Sequence, residues 1–246
     1  MLLKNKNIIS LAETESTNNY AMQLFLDKYH EGTVVLAQYQ GRGRGQAGSY
    51  WESEAGKNLL MSLILEPKFL EAGKQFYLSM AVSLALVNFL KKNVEGVKIK
   101  WPNDIYVDDK KIAGILIEQS VKGSFIESSV VGIGLNVNQV RFVSDAPNPV
   151  SMKQLTGDDY KIETILADFF DEFEIWYNIL HQKDFNRIEI AYRENLFRMN
   201  AWHNYRTRDE EFTARIVGIG EFGQLQLELQ SGETRSYLFK EVEFVL

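Results

Sequence analysis

The sequence predicts an α+β fold: a mixed sheet carrying helices, followed by a small all-β unit. Three observations point there. Apolar, β-branched runs of strand length recur between residues 33 and 137. Longer runs with helical spacing stand among and after them, at 74–92, 162–181 and 184–196. From about Tyr205 the texture changes to short runs separated by Gly220, Gly223 and Gly232.

Taken in order, Ser16-Thr17 offers a helix N-cap before 18–29, where Ala21, Leu24, Phe25 and Lys28 keep helical spacing. Residues 33–39 (TVVLAQY) read as a strand. Residues 41–56 form a long polar loop holding Gly41, Gly43, Gly45, Gly48 and Gly56, and loops of that length inside a compact domain are often functional. A buried strand spans 58–66 and stops at Pro67. The 74–92 helix carries Phe76, Met80, Leu84, Val87 and Leu90 along one side. Strands follow at 97–101, 112–118 and 128–137, with a tight turn at Asp108-Asp109-Lys110. The runs FTARIVGIG, QLQLELQ, TRSYLF and VEFVL then make an antiparallel unit too small to stand alone, so it is expected to pack on the main domain. The expected division is 1–200 and 201–246.

Composition removes several chemistries. The 246 residues include no Cys, which excludes disulfides, thiolate metal sites, iron–sulfur clusters and a Cys nucleophile. His30, His181 and His203 are far apart in sequence, which disfavours a His-based triad or zinc site. Lys, Arg, Asp, Asn, Ser/Thr and backbone amides are left to carry any reaction. Net charge is −6, from 27 basic and 33 acidic residues, which argues against a nucleic-acid backbone binder but allows a local basic pocket. Residues 1–7 break their apolar run too early for a signal peptide. The 78–90 stretch, interrupted by Ser79, Ser83 and Asn88, is too short and too polar to cross a bilayer. The expectation is a cytoplasmic protein with no membrane contact.

Four segments could carry chemistry. Gly43-Arg44-Gly45-Gln46-Ala47-Gly48 spells G-x-G-x-x-G after a strand. A dinucleotide fingerprint must open a crossover helix, and none fits before the strand at 58–66. The kinase and Walker patterns fail as well, for want of their companion residues. What remains is a flexible surface loop or an anion-binding one, and Arg42 and Arg44 among glycines favour a phosphate or adenylate. In Lys100-Trp101-Pro102-Asn103-Asp104, Pro102 ends the strand and presents Asn103 and Asp104 on a turn; on composition alone this is an ordinary turn. In Lys110 to Glu118, Gly114 inside an apolar strand points to a bulge or to a ligand against the backbone, and Lys111 reads either as a solvated strand end or as a cation for the same anion as Arg44. Gly132-Ile133-Gly134-Leu135-Asn136-Val137-Asn138 reads either as a close approach of something or as a twisted edge strand with a polar end.

Together and in this order, these segments resemble the catalytic domain of biotin protein ligases. The likeness rests on Glu15-Ser16-Thr17-Asn18, Gln40 with Gly43-Arg44-Gly45 and Trp51, KWPND at 100–104, KIAGILIE at 111–118, and GIGLNVN at 132–138. It is dense from about residue 8 to 140 and looser beyond. KWPNDI followed by K-I-x-G-I-L-x-E is a highly specific pair. The resemblance implies a class II aminoacyl-tRNA-synthetase-like (biotin–lipoate ligase) catalytic domain with a small SH3-like β-barrel behind it. It also implies ATP, Mg²⁺ held mainly by the nucleotide's phosphates, biotin as substrate, and a biotin carboxyl carrier protein, of acetyl-CoA carboxylase or a related enzyme, as partner.

The same resemblance implies the residue roles. Ser16, Thr17, Asn18 and Gln40 would bind the ureido end of biotin, with Gly43, Arg44, Gly45, Gln46, Trp51, Lys111 and Gly114 around the rest of it. Arg44, Asn103, Asp104, Lys111 and Asn136 would meet the nucleotide, and Lys111, Arg44 and Asp104 are the catalytic candidates. Gln46 and Ala47 stand where many members carry Arg, so adenylate retention is expected to be looser unless Arg42 substitutes. Some members carry an N-terminal helix-turn-helix; the roughly 15 residues before Ser16 are too few for one, and no repressor activity is expected. A homodimer is compatible with the sequence. Lipoate–protein ligase, with the same fold and chemistry, is the nearest rival, and a non-catalytic biotin or nucleotide sensor the next. From Asn200 onward five basic residues face eight acidic ones, which disfavours a nucleic-acid-binding C-terminal module.

Overall fold

The computed structural model describes residues 7–26, 31–144 and 148–245. The end of the first expected helix (Lys28, Tyr29), His30, residues 1–6 and the side chains of Phe25 and Ala47 lie outside the described residues. The first sheet is built from β1 (Ile8–Thr14), β2 (Val34–Gln40), β3 (Leu59–Leu65), β4 (Val97–Lys100), β5 (Asp104–Val107), β6 (Lys110–Lys122) and β7 (Phe125–Leu135). Its helices are α1 (Thr17–Leu26), α2 (Phe76–Leu90), α3 (Met152–Thr156), α4 (Ile162–His181) and α5 (Phe185–Glu194). A second sheet holds β8 (Trp202–Arg206), β9 (Glu211–Ile219), β10 (Leu225–Leu229), β11 (Thr234–Tyr237) and β12 (Glu243–Phe244). The fold is α+β. The seven-stranded order is β1-β2-β3-β7-β6-β5-β4, with only β1–β2 parallel. The five-stranded order is β11-β10-β9-β8-β12, antiparallel throughout.

Burial explains the layers. Every residue of β3 is buried because helices cover both faces of the sheet. Leu59, Met61, Leu63 and Leu65 join the main core with α2 and α4, while Ile64 joins Val35, Val130, Ala21 and Leu24 under α1. α2 is apolar on nearly every side, since it lies between the sheet and α4 and α5 rather than on a surface. No helix among the described residues is long and apolar enough to cross a membrane.

Several elements differ from the sequence reading. β1 was not expected; it is an edge strand, half exposed, whose short apolar run sits beside a polar start. β5 is hidden between two turn-forming clusters, so the Asp108-Asp109 turn joins β5 to β6 rather than the two longer strands. β7 is central, between β3 and β6, so the edge-strand reading of its glycines does not hold. α3 is a single short helix with a capping box at Ser151 and Gln154. The second sheet starts at Trp202, a little before the change of texture.

The second sheet is fused to the first. Ala214, Ile216, Leu225, Leu227 and Val242 belong to the same continuous core as α2 and β4. Trp101, at the end of β4, donates its indole Nε1–H to the carbonyl of Gly223 at 2.8 Å. Trp101→Phe keeps the packing and removes that bond. It is expected to cost about 1 kcal/mol, a fall in Tm of roughly 2–4 °C for a chain of this size. An unchanged thermal melt would show that the bond contributes nothing.

Candidate active site

One cleft opens on the face of the first sheet that carries α1. Its walls are the N-terminus of α1, the 41–56 loop, the β4–β5 turn, and Phe239, Lys240, Val242, Glu243 and Phe244 from β12 and the segment leading into it. Its floor is nearly free of side chains. Gly114 of β6 and Gly134 of β7 are direct cross-strand partners, and Leu116 and Gly132 form the next pair on that face. The Trp51 indole lies on this floor. A Cβ added at Gly134 would stand 2.4 Å from Trp51 Cε2, and one at Gly132 would stand 2.2 Å from Asn18 Oδ1. What approaches the glycine backbone is therefore the protein's own Trp51 and Asn18.

Trp51 is delivered by a local hairpin inside the 41–56 loop. Trp51 N–H donates to Gly43 O at 2.9 Å, Gly45 N–H donates to Ser49 O at 2.7 Å, and residues 46–48 turn in a 3₁₀ helix at the tip. The amides of Gly41 and Arg42 donate to Thr14 O and Glu15 O. The loop amides expected to cradle an anion are thus partly committed to the loop's own structure, and the Arg44 side chain is what the hairpin turns toward the cleft.

At one end of the cleft the groups are neutral. Gln40 Oε1 accepts from Thr17 N at 2.7 Å and from Thr17 Oγ1 at 3.1 Å, leaving the Gln40 amide donors for a ligand. Ser62 Oγ donates to Asn18 Oδ1 at 2.6 Å and lies 2.8 Å from Thr17 Oγ1. Asn18 Nδ2 donates to Glu118 Oε2 at 2.9 Å and to Leu116 O at 3.2 Å. Ser16 completes this buried polar end. The Trp51 Nε1–H is buried without a partner, a donor at the floor of the cleft.

The other end is charged, and a β-bulge builds it. Gly114 pairs with Asp104 and Ala113 with Ile105, but Tyr106 pairs with Lys111, so Ile112 is the extra residue. Without that bulge Lys111 would share the core face of Ala113 and Ile115. With it, Lys111 Nζ reaches Asp104 Oδ1 at 2.7 Å and stands 5.6 Å from the Trp51 ring centre. The bulge expected at Gly114 lies two residues earlier. Lys100 is the direct cross-strand neighbour of Asp104. Its amine rests over Tyr106 and Phe244, at 5.1 and 4.8 Å from the ring centres. Burial holds that amine below the ordinary lysine range, with the Asp104 carboxylate pulling the other way. Asn103 is clamped to β6 through Nδ2 to Ile115 O at 2.7 Å.

Of the residues singled out in the sequence, Ser16, Thr17, Asn18, Gln40, Arg44, Gly45, Gln46, Trp51, Asn103, Asp104, Lys111 and Gly114 line this one cleft. Gly43 stands behind Trp51, where a Cβ would meet the Trp51 carbonyl. Asn136 is not among the lining residues; its Nδ2 donates to Val150 O at 3.1 Å, while its Oδ1 is buried and unpartnered. Arg42 is exposed beside Glu15 and does not line the cleft, so the structure gives no support to its replacing the family arginines. Sequence reasoning gave no role to Ser62, Lys100 or Phe244. Ser62 had a signal, as the single polar residue in LLMSLIL. Phe244 had none, because only the packing of the second sheet brings it there.

Residues 10–136 match the Biotin/lipoate A/B protein ligase family. The chain is 32% identical over 231 residues to biotin–[acetyl-CoA-carboxylase] ligase of Paracoccus denitrificans, covering 90% of this chain and 94% of that one. It is 30% identical over 229 residues to the bifunctional ligase/repressor BirA of Bacillus subtilis, covering 90% and 69%. Among solved structures it resembles the biotin protein ligase of Aquifex aeolicus in complex with biotin and ATP, with TM-score 0.80, 25% identity, and 98% and 100% of the two chains covered.

Gly134→Ala puts a methyl group into the space of the Trp51 indole. It is expected to cost about 1–3 kcal/mol by overpacking and to shift tryptophan emission as the indole leaves the floor. Wild-type denaturation and emission in this variant would contradict the close contact.

Proposed function

The chain belongs to the biotin/lipoate A/B protein ligase family, and from that membership we infer that it is an ATP-dependent biotin protein ligase. It joins biotin to ATP as biotinyl-5′-AMP with release of pyrophosphate. It then passes biotin to a lysine of a carrier protein, for which a carboxyl carrier domain such as that of acetyl-CoA carboxylase is the natural candidate. The observation that carries this reading is the Lys111–Asp104 pair at 2.7 Å beside the indole-covered floor. One end of the cleft suits an uncharged ring, and the other suits a carboxylate meeting a phosphate.

In the first step a biotin carboxylate oxygen attacks the α-phosphorus, and the bond from phosphorus to the pyrophosphate oxygen breaks. The nucleophile comes from the substrate, so the protein's part is positioning and charge neutralisation. A chain without Cys can perform it. Lys111 supplies the cation at the α-phosphate, and Asp104 fixes where that cation stands. Arg44 supplies a second cation from the loop. In the second step the carrier lysine amine attacks the carbonyl of the mixed anhydride, and AMP leaves. Asn103 closes the β4–β5 turn and Asp104 opens β5, and that amine would arrive beside them.

Ser16, Thr17 and the free amide of Gln40 offer donors and acceptors to a ureido ring. Trp51, spread over Gly114 and Gly134, offers an apolar wall to the rest of biotin. Magnesium would enter with ATP as the counter-ion of its phosphates. Among the described residues no group of three or more His, Asp or Glu is placed to hold a metal.

Incubation with biotin, MgATP and a carrier domain is expected to add one biotin to the carrier, read as intact mass; an unmodified carrier would overturn the assignment. Lys111→Ala is expected to lower biotinyl-AMP formation by about 10²-fold or more, the scale for losing one preorganised charge-stabilising group. A wild-type rate would remove Lys111 from the chemistry. Gln46→Arg is expected to slow release of biotinyl-AMP from the enzyme, because Arg adds a charge-assisted contact that Gln lacks. An unchanged release rate would mean that position 46 does not hold the adenylate.

A further inference from the structure

Glu118 joins the first turn of α1 to the loop hairpin, yet it is not among the residues that line the cleft. Its Oε2 accepts from Asn18 Nδ2 at 2.9 Å and, at 3.4 Å, from Arg44 Nη1, and its Oε1 accepts from Arg44 Nη2 at 2.9 Å. Asn18 has no freedom in this arrangement, since Ser62 Oγ donates to its Oδ1 and the missing side chain of Gly132 receives its head. Arg44 also bonds Asn19 Oδ1. Glu118 and Asn19 therefore draw the Arg44 guanidinium toward α1 and the rim.

Of the cations that line the cleft, Arg44 and Lys111 are each paired with one carboxylate: Lys111 with Asp104 and Arg44 with Glu118. The pairs are not equivalent. Arg44 and Glu118 are 42% and 24% exposed in their side chains, against 25% and 19% for Lys111 and Asp104. The more solvated pair is the weaker one, and its arginine stands on a loop hairpin rather than on a strand of the sheet. An incoming phosphate therefore competes with Glu118 for Arg44 more readily than with Asp104 for Lys111.

We propose that Glu118 is a positioning residue that parks Arg44 and competes with the nucleotide's phosphate for it, while its other oxygen fixes Asn18 at the biotin end. The proposal rests on the ligase reading above. Glu118→Gln separates the two duties, because Gln keeps an acceptor for Asn18 but loses the charge that holds Arg44.

The test is steady-state pyrophosphate release with biotin and MgATP varied in turn. In Glu118→Gln the KM for ATP is expected to fall about threefold, the size of one half-exposed ion pair, with the KM for biotin near its wild-type value. Glu118→Ala, which also loses the Asn18 contact, is expected to raise the KM for biotin. In an Arg44→Ala background the added Glu118→Gln change is expected to leave the KM for ATP where Arg44→Ala put it. An unchanged or higher KM for ATP in Glu118→Gln would overturn the proposal. So would a fall that persists without Arg44, since that would be a bulk charge effect. Absence of wild-type turnover would sink the ligase reading and the proposal together, whereas wild-type turnover with unshifted variants would sink the proposal alone.

Discussion

Where β6 and β7 run side by side, Gly114 and Gly134 face one another without a Cβ, and the Trp51 indole rests on both. That exclusion of side chains controls the rest of the cleft. The indole can lie flat only because the floor is bare, and the 41–56 hairpin ends at Trp51. Seating the indole therefore fixes where Arg44 and Gln46 project. Gly132, one pair along, does the same for Asn18 and so for the first turn of α1. A methyl group at any of these points would act on a loop, a helix start and an arginine at once.

Charge placement depends on a different device. The bulge at Ile112 shifts β6 by one residue, and that single shift decides whether Lys111 faces the core or the cleft. Its consequence is an ammonium bonded to Asp104 across the β5–β6 ladder, on regular structure rather than on a loop. The neutral end is made by Gln40, Thr17 and Ser62, whose bonds to one another leave the Gln40 donors pointing outward. Neutral recognition at one end and an ammonium held by Asp104 at the other suit a ligand that is uncharged at its ring and anionic at its tail.

Much of this was legible in the sequence. The glycines at 114, 132 and 134 allowed a close approach as one of two readings, and the resemblance carried by KWPND and KIAGILIE implied which residues would share a site. The sequence did not say what would approach, because Trp51 and Gly134 are distant in the chain and their contact is a product of tertiary packing. Nor did it place the bulge, since Ile112 looks like any apolar strand residue and only the register against β5 shows it as the extra one. Asn136 resembled its neighbours in the motif, yet its side chain is bonded to Val150 away from the cleft lining. β5 and β1 carry weak local signals, one lying between two turn clusters and one on a half-exposed edge. Phe244 could only be found from the packing of the second sheet on the first.

Attack of biotin's carboxylate on ATP is the step on which the proposed chemistry of this cleft depends. Exchange of labelled pyrophosphate into ATP reads that step without any carrier protein. Exchange is expected to require biotin and to fail when lipoate replaces it. Exchange driven by lipoate in place of biotin, or none with either acid, would contradict that chemistry.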